Sequence, residues 1–333
     1  MMSNKSIAAA HSINIDIFRT ILAQWVILGH LGAELLSIPI VPGRVAVWGF
    51  FIISGYLNAK SFLNRTESGT WFNGVTGYYL SRIKRIYPLL LFNALVVATF
   101  LGTLFHSDWY VLLPYRHSYP YQLSNGGLWT LIIEIQLYLI TPILFLLVLK
   151  LKTFNWKAQV LICMGLIFLV PLIKVYFASN HDLIDDRTVT GNIGFYLFGM
   201  MFLLNNMGLP NLNKKIYFVL SILLAIAGVY FIFEYNFKYQ GVQFILGPFI
   251  ALLASFLVLT VTTPLVNKGH SIFAFLGYYT YEIYVLHGLL AFIFHQLGMY
   301  GMWNVLLMWW LMPMFLVVIF DMAYKKKYKL ILK

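Results

Sequence analysis

Apolar runs of about 20 residues, the length a helix needs to cross the hydrocarbon core of a bilayer, recur along the 333-residue chain. About ten can be placed, near residues 13–36, 43–63, 86–106, 127–149, 158–178, 188–205, 214–234, 242–263, 271–296 and 303–322. Backbone in lipid must satisfy its own hydrogen bonds, and these runs are too long and continuous for barrel strands, so they predict helices. The first run carries Arg19 and His30 and follows no strong basic region, which predicts a retained helix rather than a cleaved signal. No internal repeat or low-complexity linker interrupts the pattern. The expected fold is an all-α integral membrane protein. Residues 1–333 are expected to form a single transmembrane domain, with no separate soluble domain.

Composition agrees. Charged residues make up 10% and apolar residues 61% of the chain, whereas a soluble domain carries about 25% charged residues. A water-soluble enzyme is excluded on that ground. The net charge of +12 would suggest nucleic acid in a soluble chain, but here it reports topology. With the N-terminus inside, seventeen of the 23 cations fall in cytoplasmic segments, five fall outside (Arg44, Arg116, Lys174, Arg187 and Lys238), and Arg19 stays in a span. The acidic cluster Asp182, Asp185 and Asp186 falls outside, and the Lys-rich tail at 325–333 reads as a stop-transfer anchor against anionic lipid. Both termini are therefore expected in the cytoplasm, with no nucleic-acid partner. Cys163 is the sole cysteine, so neither an internal disulfide nor a cysteine-based zinc site is available.

Ionisable groups inside spans are costly and mark function. Arg19 and His30 are eleven residues apart, which on a helix is about 20° from whole turns and a rise of roughly 16 Å, so both point to one face. Opposite chain directions bring Glu134 of the fourth span and His30 to similar depth, and His287 of the ninth lies slightly deeper. A histidine and a carboxylate that meet in a dry site can act as a general base with its orienting partner. They can equally serve as an interhelical hydrogen bond, or as the proton relay of a transporter. Arg82, Lys84 and Arg85 form a basic loop leading into the third span, suited to phosphate or to topology alone. Ser54-Gly55 reads as close helix packing, because no Gly-x-Ser-x-Gly elbow marks the serine as a nucleophile. No His-x-x-x-His metal spacing and no Gly-rich phosphate loop is present. Trp109-Tyr110 and Tyr119–Tyr121 are weaker candidates for a sugar platform.

Five segments in order carry a family resemblance. They are Asp16-Ile17-Phe18-Arg19 followed, after ten intervening residues, by His30; Phe50-Phe51-Ile52-Ile53-Ser54-Gly55-Tyr56-Leu57; Tyr79-Leu80-Ser81-Arg82-Ile83-Lys84-Arg85-Ile86-Tyr87-Pro88; Leu128-Trp129-Thr130-Leu131 with Glu134; and Leu276-Gly277 through Tyr284-Val285-Leu286-His287. Together they resemble the membrane acyltransferase family 3, bacterial O-acyltransferases of surface polysaccharides. Departures are Glu134-Ile135 where an acidic pair is common, Leu286 where tryptophan is common, and Lys84 in a cluster usually richer in arginine. No hydrolase-like domain is expected after the tenth span.

The resemblance implies a multi-pass protein of the bacterial cytoplasmic (inner) membrane. It would move an acyl group, usually acetyl, from acyl-CoA as donor substrate to a hydroxyl of a cell-surface or lipid-linked glycan, such as a lipopolysaccharide or exopolysaccharide. No bound cofactor and no metal are implied. Arg82, Lys84 and Arg85 would hold donor phosphates together with Arg19. His30 would act as general base or transient acyl carrier, with Glu134 polarising it. Ser54, Tyr284 and His287 are the substrate or oxyanion candidates. A transporter or flippase for a lipid-linked sugar is the competing expectation.

Overall fold

The computed structural model of the chain describes residues 4–36, 43–67, 69–102, 128–177, 188–204, 219–220, 222–224, 226–227, 240–260, 271–299 and 306–321. Every regular element among them is helical. In order these are α1 (Asn4–Leu36), α2 (Gly43–Thr66), α3 (Trp71–Leu101), α4 (Trp129–Leu151), α5 (Trp156–Phe177), α6 (Val189–Leu204), α7 (Gln240–Thr260), α8 (Ser271–Tyr278) and α9 (Thr280–Gln296). A π-helical segment, Leu306–Leu311, then runs into α10 (Met312–Phe320). The aromatic candidates at 109–110 and 119–121, the acidic cluster at 182–186 and the Lys-rich tail lie outside the described residues.

Among the described helices, α3 and α4 are each long and apolar enough to cross a membrane. Their outward faces suit lipid: Leu91, Phe92 and Leu95 of α3 are exposed, as are Leu139, Leu146 and Leu147 of α4, while Ile143 is 68% exposed and Leu161 of α5 is 71% exposed. Water would penalise so broad an apolar surface, whereas a hydrocarbon solvent does not.

The bundle is organised around α2, whose residues between Val45 and Phe62 are largely buried. Its most extensive contact is with α6, and α1, α3, α4 and α7 also pack on it. The α2–α6 crossing is close because small residues meet backbone there. A Cβ on Gly55 would overlap the Tyr196 carbonyl oxygen, and one on Gly199 would overlap that of Ile52. Trp48 stacks on Phe195 with ring centroids 5.4 Å apart. Thr141 and Tyr196 share a 2.7 Å hydroxyl contact that ties α4 to the same seam. The packing expected of Ser54-Gly55 is thus the backbone approach that van der Waals association in lipid demands.

Three segments differ from the sequence expectation. The basic segment Arg82–Arg85 lies inside a helix that starts fifteen residues before the apolar run, at Trp71, with Thr70 as N-cap accepting from the Asn73 N–H at 3.3 Å. Hydropathy cannot register that first half, because it holds Arg82, Lys84 and Arg85 together with Asn73, Gly74, Thr76, Gly77 and Ser81. The ninth run is two helices, broken at Tyr279. Gly277, just before the break, sits against the Asp16 carbonyl, and Thr280 Oγ1 donates back to the Gly277 oxygen at 2.6 Å. The described part of the tenth run begins as a π-helix rather than an α-helix.

Gly55→Ala and Gly199→Ala should each destabilise the protein by about 1–3 kcal/mol, because the backbone crossing must widen. Thermal denaturation in detergent checks this, with Gly69→Ala, whose added methyl meets open space, as control.

Candidate active site

Four helices and the broken ninth run converge on one cavity of about 850 Å³, its open mouth included. Arg19 of α1, Ser54 and Asn58 of α2, Arg82 and Arg85 of α3, Thr130, Glu134 and Tyr138 of α4, and Tyr281 and Tyr284 of α9 line it. Three cations and one carboxylate therefore share a volume with hydroxyl and amide groups and with apolar walls that include Val47, Phe50 and Leu131.

Each side chain is held by local geometry. Asp16 precedes Arg19 by three residues on α1, and the pair meets at 3.3 Å with side chains 13% (Arg19) and 21% (Asp16) exposed. Thr20 donates to the Asp16 carbonyl at 3.2 Å and also to the Phe273 carbonyl, fixing α1 against α8. Tyr281 donates to the Ile86 carbonyl at 2.6 Å, fixing α9 against α3. On α3, Arg82 and Arg85 are three apart and share a face, while Lys84 is rotated about 200° from Arg82. Accordingly both arginines line the cavity, and Lys84 is exposed away from it.

Glu134 is the hub. Ser54 Oγ donates to its Oε1 at 2.9 Å, and the Tyr138 hydroxyl donates to the same oxygen. Asn58 Nδ2 donates to Ser54 Oγ at 3.0 Å and to the Ser54 carbonyl at 2.7 Å. The Tyr78 hydroxyl in turn donates to Asn58 Oδ1 at 2.9 Å. The Arg82 guanidinium lies 5.3 Å from the Tyr78 ring centre and 5.6 Å from that of Tyr138, within cation–π range of both. Its buried Nε–H has no hydrogen-bond partner among the described residues. Arg85, Asp16, Glu134 and Tyr138 are the electrostatic neighbours of Arg19.

The histidines form a separate pair. His287 Nε2 and His30 Nδ1 are 3.4 Å apart, with ring centroids at 5.6 Å and planes 32° apart. His287 is 1% exposed, and His30 lies at the exposed edge. The structure thus gives His30 a histidine partner and gives Glu134 a serine and a tyrosine. Tyr284 joins the two arrangements: it lines the cavity, accepts from Thr130 Oγ1 at 2.9 Å, and sets its ring edge-on to His287 with centroids 5.2 Å apart. Of the residues singled out in the sequence, Arg19, Ser54, Arg82, Arg85, Glu134 and Tyr284 meet in one cavity, while His30, His287 and Lys84 do not line it.

Sequence reasoning gave no role to Asn58, Tyr138 or Tyr78. For the first two a signal existed: Asn58 stands four residues after Ser54 and Tyr138 four after Glu134, the spacing that stacks side chains on one helical face. Tyr78 carried no local signal, because its partner is on another helix.

Comparison with known proteins places these features in a wider set. Residues 12–323 match the model of a family described as an acyltransferase domain. Three curated proteins of Staphylococcus aureus, from strains COL, MSSA476 and MRSA252, are provisionally named O-acetyltransferases. Each is 24% identical over 313 residues, a match that covers 82% of this chain and 49% of the relative. The chain spans about half the length of the curated relatives it matches. No solved structure matches it.

Asn58 is bonded at both ends of its amide, so Asn58→Leu leaves the Tyr78 hydroxyl without its acceptor and Ser54 Oγ without its donor. A loss of about 1–3 kcal/mol is expected, with much of it recovered in the Asn58→Leu/Tyr78→Phe double variant. Unfolding of the purified variants in detergent measures both.

Proposed function

The chain belongs to the acyltransferase family whose model it matches over residues 12–323, and from that premise we propose that it is a membrane O-acyltransferase using acyl-CoA as donor and a glycan hydroxyl as acceptor. The observation that carries this reading is the cavity itself, which sets Arg19, Arg82 and Arg85 beside a hydrogen-bonded Ser54–Glu134 pair. Guanidinium groups at the edge of an apolar cavity suit a ligand with a phosphorylated head and an apolar arm. A carboxylate poised on a hydroxyl suits transfer of an acyl group between oxygen or sulfur nucleophiles.

In this reading about ten helices cross the bacterial cytoplasmic membrane as one transmembrane domain, with both termini in the cytoplasm. The arginines lie toward the cytoplasmic end of the site, where a CoA thioester would arrive, and Lys84, on the outer face of α3, adds to the field that draws it in. The acyl group, acetyl in the simplest case, is delivered inward to the acceptor, a cell-surface or lipid-linked glycan. His30, backed by His287, takes the proton of the acceptor hydroxyl. Tyr284 lies between that pair and the cavity and suits donation to the oxyanion of the attacked carbonyl.

Three results test this. Deleting the protein should remove ester-linked acyl groups from the cell-surface glycan, read by mass spectrometry. His30→Ala and Arg19→Ala proteins should insert normally yet lower acylation, His30→Ala by about 100-fold or more, the range for loss of a general base; full acylation by a stably inserted His30→Ala protein would remove His30 from the chemistry. Liposomes holding the purified protein, labelled acetyl-CoA and a lipid-linked glycan should place label on the sugar, whereas sugar movement without label would favour a flippase.

A further inference from the structure

Ser54 is held as a nucleophile would be held. Its hydroxyl proton points to Glu134 Oε1 at 2.9 Å, and its oxygen accepts an N–H from Asn58 at 3.0 Å. Glu134 is itself fixed by Tyr138, and Asn58 by Tyr78. A nucleophile within about 2.6–3.2 Å of a base that a third group orients is the general signature of covalent catalysis, whatever the fold. No strained elbow is needed here, because the oxygen projects from the buried helix α2 directly into the cavity. Interhelical glue would explain the Ser54–Glu134 bond alone. It does not explain why the bond faces a cavity lined by three arginines, one of which carries a buried Nε–H without a partner among the described residues. Nor is Ser54 suited to donate to an oxyanion, since its proton is already engaged by Glu134.

We propose that Ser54 is the acyl carrier of this site, so that the acyl group passes from the thioester to a serine ester before it reaches the acceptor. The inference rests on the acyltransferase reading above. In the first step Ser54 Oγ attacks the thioester carbonyl as its proton moves to Glu134. The Oγ–C bond forms, the C–S bond breaks, and the Glu134 proton leaves with the sulfur as free CoA thiol. The charges of Arg19, Arg82 and Arg85, which line the cavity, supply a positive field for the transient oxyanion. In the second step the acceptor hydroxyl attacks the serine ester and yields its proton to His30. The new O–C bond forms, the Oγ–C bond breaks, and the acceptor's proton passes from His30 to the departing Ser54 Oγ, so that both groups return to their starting state. Nothing is oxidised or reduced, and thioester-to-oxygen-ester transfer is downhill. A serine carrier also assigns the two arrangements separate halves of the reaction: Ser54–Glu134 unloads the donor, and His30–His287 readies the acceptor.

A covalent carrier makes the first half independent of any acceptor. The full chain in lipid nanodiscs, given acetyl-CoA and tritiated CoA alone, should exchange label between the two. After acid quench with carbon-labelled acetyl-CoA, the peptide carrying Ser54 should hold the acetyl group. Ser54→Ala should lower exchange and labelling by about 100-fold or more. Ser54→Cys should retain label at position 54, now as a thioester released by neutral hydroxylamine, a gain that misfolding cannot imitate. If cells with the wild-type protein acylate their glycan while the purified protein neither exchanges nor labels, or if Ser54→Ala cells acylate fully, the carrier is overturned and the acyltransferase stands. Label found on His30 instead would overturn it equally. Glycan acylation that does not depend on the protein at all overturns the acyltransferase reading, and the carrier with it.

Discussion

A carboxylate placed among apolar helices is costly unless hydrogen-bond donors are held against it. Glu134 meets that requirement with two hydroxyl donors on one oxygen, from Ser54 and Tyr138, and with Arg19 among its electrostatic neighbours. Each of those groups then needs its own support. Ser54 takes Asn58, Asn58 takes Tyr78, and the rings of Tyr78 and Tyr138 flank Arg82. One ionisable group thereby recruits polar residues from α2, α3 and α4, and the positions of those helices follow from it.

The close crossing of α2 on α6 serves the same end. Backbone-to-backbone approach at Gly55 and Gly199 leaves α2 little freedom to rotate. Ser54, next to Gly55, therefore meets α4 at a fixed height. In lipid no hydrophobic effect drives helices together, so such packing and the hydrogen bonds across it must define the geometry. The site is as rigid as the seam beside it.

Much of this was legible in the sequence where one residue alone carries the signal. An arginine or a glutamate within an apolar run is conspicuous, and Arg19 and Glu134 both line the cavity. The pairing was not legible. Similar depth on two helices fitted His30 with Glu134, but depth leaves rotation about each helix axis undetermined, and the structure sets His30 on His287. Hydropathy also misplaced the start of α3, because it measures apolarity and the first half of that helix holds three cations together with polar and small residues such as Asn73, Gly74, Thr76, Gly77 and Ser81. The break at Tyr279 was hidden as well: the run on either side is apolar enough to read as one span, and the close packing of Gly277 on the Asp16 backbone is a contact between distant segments that no local pattern reports.

That contact between α1 and α8 has a consequence in time. Thr20 and its acceptor at Phe273 are separated by 253 residues. At about 5–20 residues per second, the ribosome completes the partner roughly 10–50 s after the first helix is made. Until that interval ends α1 carries Arg19 without α8 and α9, the last of the described helices that enclose it. Asp16, three residues away on the same helix, is a counter-charge already present at birth. A pair that contributes modestly to the finished fold thus accompanies the cation from the moment the chain first meets the membrane.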